Sequence, residues 1–246
     1  MLSLPHTARR GLAVAMLLAV VGQPVLANQT DSGTFSLSLR GIPAGELKFS
    51  GTINATSYAV NGTLRSTGIL GAVRKVRYDA AVQGSHAQGR FTPSSYTEKA
   101  DTSKRQSESV MAYKAGVPQV EVYNPPRAPR PGDIDPATQG GTIDPLTALF
   151  AVLRDVPEAQ ACSFSAFMFD GRRRSQIALT SPQPADDGTV TCAGEYRRLA
   201  GFSDKEMAEK VSFPFRLTYV PTGDGQLRVD EVSMDTLYGK GRLKRR

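Results

Sequence analysis

"TFSLSLRGIPAGELKFSGTINATSYAVNGTLRS", residues Thr34 to Ser66, decides the fold class. Phe35, Leu37 and Leu39 alternate with Ser36 and Ser38, the period of two expected of a strand with one face buried. Glycine and proline turn chemistry in "GIPAGELKFSG" surrounds a second short strand, and Tyr58, Val60 and Leu64 alternate in a third. Asn61-Gly62, inside that third segment, reads as a bulge or a tight turn. The pattern continues through "KVRYDAAVQG", "GRFTPSSYTEKA", "QSESVMAYKAG" and "PQVEVYN" at spacings of about ten residues. It resumes late in the chain at "FPFRLTYVP", "QLRVDEVSMDTL" and "GRLKR". This rhythm predicts a mainly β protein with an antiparallel sheet, sandwich or barrel. Neither a G-x-G-x-x-G fingerprint nor a strand–helix alternation supports a dinucleotide fold.

The middle of the chain differs. Residues 124–144, rich in proline and glycine, predict a long irregular connection. It leads into "DPLTALFAVLRDV", where Asp144 is placed as an N-cap and Pro145 at the first helical position. Leu146, Leu149, Phe150 and Leu153 form one apolar stripe, predicting a short helix near residues 144–155. "SDKEMAEK", with Ser203 as cap, is a weaker helical segment.

At the N-terminus, Arg9 and Arg10 precede the short apolar run Gly11–Val21, and Val25 and Ala27 occupy the small-residue positions of a cleavage site. This layout predicts a secretory signal peptide over residues 1–27, cut after Ala27, with a membrane anchor as the alternative reading. The 219 residues that remain suffice for one domain, residues 28–239, followed by a basic tail, residues 240–246. No later apolar run is long enough to span a bilayer. Setting aside Arg9, Arg10 and the five tail cations (Lys240, Arg242, Lys244, Arg245 and Arg246) leaves 23 basic residues against 23 acidic ones. The basic surplus therefore belongs to a tail, read as solvated, and does not point to nucleic acid. Binding of that tail to anionic lipid is a lesser reading.

In an oxidising compartment an even cysteine count favours a Cys162–Cys192 disulfide, two buried free thiols being the alternative. A flat meander would put the two cysteines on first and third strands, about 9.5 Å apart. A disulfide requires Cα atoms within roughly 7 Å. Either Cys162 lies ahead of its strand, or the sheet curls strongly. Between the cysteines, "FMFDGRRR" signals a hairpin with Asp170-Gly171 as a two-residue type I′ turn. In that register Arg172 covers Phe169 and Arg174 covers Phe167 through cation–π contacts. Arg173 falls on the aliphatic face and is the one candidate ligand contact, placed at the rim or aimed into a cavity.

Signals for catalysis are sparse. His86 is the one histidine after the leader and sits in a Gly/Ser/Gln stretch read as a solvated turn. No G-x-S-x-G, S-x-x-K or G-x-x-x-x-G-K occurs, and no cofactor or metal site is expected. Asp133, Asp135, Asp186 and Asp187 are the loop carboxylates a hydrolase would have to use. Asn28, Asn54 and Asn61 open N-x-T triplets, relevant only in a glycosylating host.

"GIPAGELKFSG", "NPPRAPRPGDIDP…DPLTAL", "CSFSAFMFDGRRR" and "CAGEYRRLAGF", in this order, resemble the bacterial envelope proteins grouped as domain of unknown function 3108. The most specific parts are the helix start Asp144 to Thr147 and the turn Phe169 to Arg173, and Cys162 and Cys192 match a cysteine pair of some members. The resemblance implies an exported, periplasmic, β-rich protein of Gram-negative bacteria. It further implies a strongly curved sheet or open, half-closed barrel (a spiral), loosely similar to lipoprotein carriers, and brings no catalytic residue. The expectation is a non-enzymatic envelope protein holding an apolar or lipid-like ligand. The alternatives are a scaffold docking an envelope protein and a carboxylate-dependent hydrolase.

Overall fold

The computed structural model describes residues 28–73 and 75–246. The predicted leader and its cleavage point after Ala27 lie outside the described residues. Seven strands come first: β1 (Gln29–Leu39), β2 (Ile42–Ile53), β3 (Ser57–Ser66), β4 (Arg77–Ala87), β5 (Arg90–Asp101), β6 (Gln106–Lys114) and β7 (Val117–Asn124). The short helix α1 (Gly68–Val73) interrupts them after β3. The proline-rich connection then leads to α2 (Pro145–Leu153) and the short β8 (Val156–Pro157). Six more strands follow: β9 (Ser165–Phe169), β10 (Arg174–Pro184), β11 (Val190–Ala200), β12 (Ser212–Pro221), β13 (Gln226–Thr236) and β14 (Gly239–Arg245). Helix α3 (Asp204–Glu209) lies between β11 and β12, with Ser203 and Glu206 forming a capping box.

All strands belong to one 14-stranded antiparallel sheet, ordered β7 to β1, then β14 to β9, with β8 on β13. Two meanders are thus joined through the first and last strands. The sheet curls until β7 and β9 face each other, and the connection fills the gap. Ile143 runs parallel to Met168: its amide donates to the Phe167 carbonyl and its carbonyl accepts from the Phe169 amide, both at 2.9 Å. The Gly141 amide donates to Gly116 O at the β6–β7 turn, also at 2.9 Å. The result is a nearly closed barrel.

Helix α2 lies inside it. Every residue but Pro145 and Leu149 is buried, and "PLTALFAVL" contains no charge. The expected single stripe is therefore replaced by burial on nearly all sides, as for a core helix. Leu149, assigned to the stripe, is among the less buried positions. Asp144 caps the helix through the Thr147 amide (2.9 Å) with Pro145 in the first turn. The Thr147 hydroxyl adds a second bond to Asp144 and is hydrogen-bonded to the Tyr58 hydroxyl at 2.8 Å. Phe150 is fully buried, its ring edge-on to Phe49 and Phe91 at 5.9 and 6.2 Å.

Three expectations need correction. β3 runs straight through Asn61-Gly62 without bulge or turn. Gly62 is instead opposite Leu146: a Cβ there would lie 2.6 Å from the Leu146 Cδ1. The basic segment 240–246 is no solvated tail, because β14 pairs with both β1 and β13. Arg242 and Lys244 pair with Glu231 and Asp230 across that strand. Arg245 turns inward over Phe35 (4.8 Å to the ring centroid) and donates to Val229 O and Ser32 O at 2.8 Å and Leu153 O at 3.2 Å. The high charge of this strand masks the alternation of glycine, leucine and arginine along it.

The hairpin is the third. Phe169 and Arg172 do not flank a two-residue turn: Phe169 pairs with Arg174 and Met168 with Ser175, leaving residues 170–173 as the loop. The Asp170 carboxylate accepts the amides of Arg172 (2.9 Å) and Arg173 (2.7 Å), which draws both residues out of the ladder. A register shift of two preserves which residues share a face.

The disulfide joins Cys162 and Cys192, with Cα atoms 5.3 Å apart. Cys162 sits ahead of β9, so the first of the two geometric alternatives applies. The curl of the sheet is not needed to form the bond.

Candidate functional site

A cavity of about 570 Å³ opens at the C-terminal end of α2. The start of β5 supplies Phe91, the segment before β9 supplies Phe164, β10 supplies Leu179 and β12 supplies Tyr219. Ala151 and Arg154 from the end of α2 join them with the polar side chains of Gln88, Gln160, Ser163 and Ser165, and Arg90 stands exposed beside Phe91. Among the described residues, no aspartate or glutamate lines the cavity.

Arg154 is the chemically distinctive group. It is only 8% exposed. As the C-cap of α2 its amide donates to Phe150 O at 2.9 Å, which places the residue at the C-terminal end of the helix, where a cation is favoured. Nη1 donates to Asp155 O at 3.1 Å and Nη2 to Gln160 Oε1 at 3.3 Å. Nε is buried without a hydrogen-bond partner. The guanidinium carbon lies 6.0 Å from the Phe91 ring centroid. Burial lowers its pKa, countered by the phenol of Tyr219 and by Asp31 and Asp155. In turn burial pushes the Tyr219 phenol up to about 12.

The nearby acids are engaged elsewhere. Asp155 pairs with Arg228 at 2.6 Å and faces Arg245 at 3.9 Å. Asp31 accepts the Asp155 amide, and burial raises its carboxyl above the usual range. Three arginines (154, 228 and 245) thus share two aspartates. Among the described residues Arg154 forms no ion pair.

His86 borders this region but lies in β4, not in a solvated turn. Its ring packs on Phe91 at 4.8 Å, Nδ1 lies 3.2 Å from Asn54 O, and Nε2 is buried without a partner. Burial, ahead of the nearby Arg154 charge, lowers its pKa.

Of the residues singled out in the hairpin, Phe167 lines the cavity and the others lie elsewhere. Arg174 stacks over Phe167 at 4.5 Å, as expected. Arg172 does not cover Phe169, which is fully buried, but pairs with Asp133 at 2.8 Å. Arg173 neither lines the cavity nor projects freely from the rim: it pairs with Glu206 of α3 at 2.8 Å and lies over Phe202 at 5.0 Å. The longer loop carries both arginines onto neighbours that the two-residue turn could not reach. Among the loop acids, Asp133 and Asp187 accept backbone amides that hold both below the usual carboxylate range, and Asp135 caps a turn.

Sequence reasoning does not single out Arg154. The signal it offers is an arginine ending a helix with no polar face, in "PLTALFAVLR". Once such a helix is enclosed, its terminal cation has to enter a wall or a cavity.

A comparison with curated proteins returned no match. Among solved structures, the chain is similar to a "beta-barrel-like protein of domain of unknown function DUF1849" from Brucella abortus. The two are 12% identical, the likeness covers 88% of this chain and 95% of the other, and the TM-score is 0.49. The family model described as "Protein of unknown function (DUF3108)" matches residues 34–183, so it stops short of Cys192 and "CAGEYRRLAGF". With that match spanning most of the nearly closed barrel's first meander, its connection and α2, the chain belongs to the DUF3108 family.

Proposed function

We propose that the protein is an exported, periplasmic, non-enzymatic binding protein of the cell envelope that holds a small apolar or amphiphilic molecule in the barrel mouth. The observation that carries this reading is the cavity at the end of α2, whose wall combines apolar side chains (Phe91, Phe164, Leu179) with polar ones (Gln88, Arg154, Gln160, Ser163). Its volume lies in the range of small-molecule sites, and a wall with both apolar and polar groups suits an amphiphilic molecule. Because α2 fills the barrel interior, the ligand is a single small molecule at the mouth, not a large lipid threaded through the barrel. The disulfide fits an oxidising compartment.

Mass spectrometry of an organic extract from the protein, purified out of its native compartment, tests the reading. A stoichiometric apolar or amphiphilic compound is the expected result. An empty protein that also binds no such compound on addition would contradict it. A second reading, a scaffold for an envelope protein, draws on the unpaired edge of β7, where Val122 is 42% exposed. Crosslinking through that edge to one partner would favour it.

A further inference from the structure

We propose that Arg154 is the head-group receptor of this cavity, binding the carboxylate of a single-chain amphiphile whose tail lies against Phe91, Phe164 and Tyr219. The inference rests on the cavity being a ligand site and names the ligand class.

Arginine has five N–H donors and stays charged in proteins. Arg154 spends two of them within the chain, on Asp155 O and Gln160 Oε1. Three N–H groups remain unengaged, the buried Nε–H among them, on a side chain that lines the cavity, and arginine N–H groups in pairs are what carboxylates accept. A buried cation without a counter-ion is costly, and a well-packed apolar residue would be more stable in its place. The chain offers partial compensation from the α2 C-terminus and from Asp31 and Asp155 at longer range. Both aspartates are already shared with Arg228 and Arg245. The charge left over faces a cavity without acids, beside a second arginine, Arg90. A positive wall without acids matches an anionic head group. Phe91, Phe164 and Leu179 on the same wall favour a ligand with a tail over a free inorganic anion.

Calorimetric titration of delipidated protein with decanoate, decanol and inorganic phosphate tests this. Decanoate is expected to bind at least about tenfold more tightly than decanol. Arg154→Met is expected to abolish that preference while decanol affinity stays within about threefold. Phosphate at matching concentration is expected not to displace decanoate. Equal affinities in the wild type, or a preference that survives in Arg154→Met, would overturn the head-group assignment while leaving the cavity reading in place. Binding of neither amphiphile would overturn both. Displacement by phosphate would replace the amphiphile with a simple anion. Should Arg154→Met not fold, titration of carboxyl-labelled decanoate on the wild type by NMR decides: a bound carboxyl pKa below that of the free acid supports the contact, and an unchanged or raised value overturns it.

Discussion

Asp144 is wholly buried, and burial pushes its carboxyl up to about 6 despite the hydrogen bonds from Thr147. Its ordinary value is 3.8, so between those two pH values the folded chain holds a proton that the unfolded chain releases. Stability from this group is therefore greatest below pH 3.8 and is lost as pH rises through 6, by about 3 kcal/mol in all. The substitution Asp144→Asn would keep an N-cap acceptor without the charge. Urea unfolding of the wild type and Asp144→Asn at about pH 4 and about pH 7 should show the wild type losing about 2 kcal/mol relative to the variant over that interval, since part of the loss has occurred by pH 4. Parallel pH dependence in the two proteins would show that Asp144 does not carry the effect. The cap is legible in the sequence, because Asp-Pro before an apolar run has a local mechanism. The burial that perturbs it is not, because it depends on the sheet wrapping around the helix. Arg172 and Arg173 illustrate the same division: their neighbours, Asp133 and Glu206, lie far along the chain.

Among elements, α2 governs the interior. Gly51 on β2 leaves room for the Phe150 ring: a Cβ there would lie 2.7 Å from Phe150 Cε2 and 3.1 Å from Val60 Cγ2. Gly51→Ala is expected to cost about 1–3 kcal/mol by overpacking. Phe150→Ala is expected to cost about 3–5 kcal/mol through lost burial and a cavity. In the double variant the new methyl enters space vacated by the ring, so the combined cost should fall at least about 0.5 kcal/mol below the sum. Strictly additive costs in urea unfolding would show that the helix is not seated against β2. Strand periodicity announces the two meanders, since alternation reports one buried face directly. The hairpin register escapes it because the Asp170 side chain competes for the amides that define the turn. β14 reads as a tail because lysine and arginine dominate "GKGRLKR", although its alternate positions face the sheet's two sides.

The whole molecule is a sheet joined through its first and last strands, closed across β7 and β9 by its own connection, with α2 as internal filling. That filling leaves a cavity at the helix's C-terminal end, and the enclosed helix places Arg154 there. Strand spacing announces a β protein as sheet, sandwich or barrel and the family resemblance implies the half-closed form, but the cavity's position depends on which way α2 runs through the interior, a tertiary fact with no local signature. The most direct measurement is a crystal structure of the protein with 10-bromodecanoate, located by the anomalous signal of bromine. The account predicts bromine among Phe91, Phe164 and Tyr219, the carboxylate on Arg154, and α2 still inside the barrel. Bromine elsewhere, or a ligand occupying the barrel after expelling α2, would contradict it.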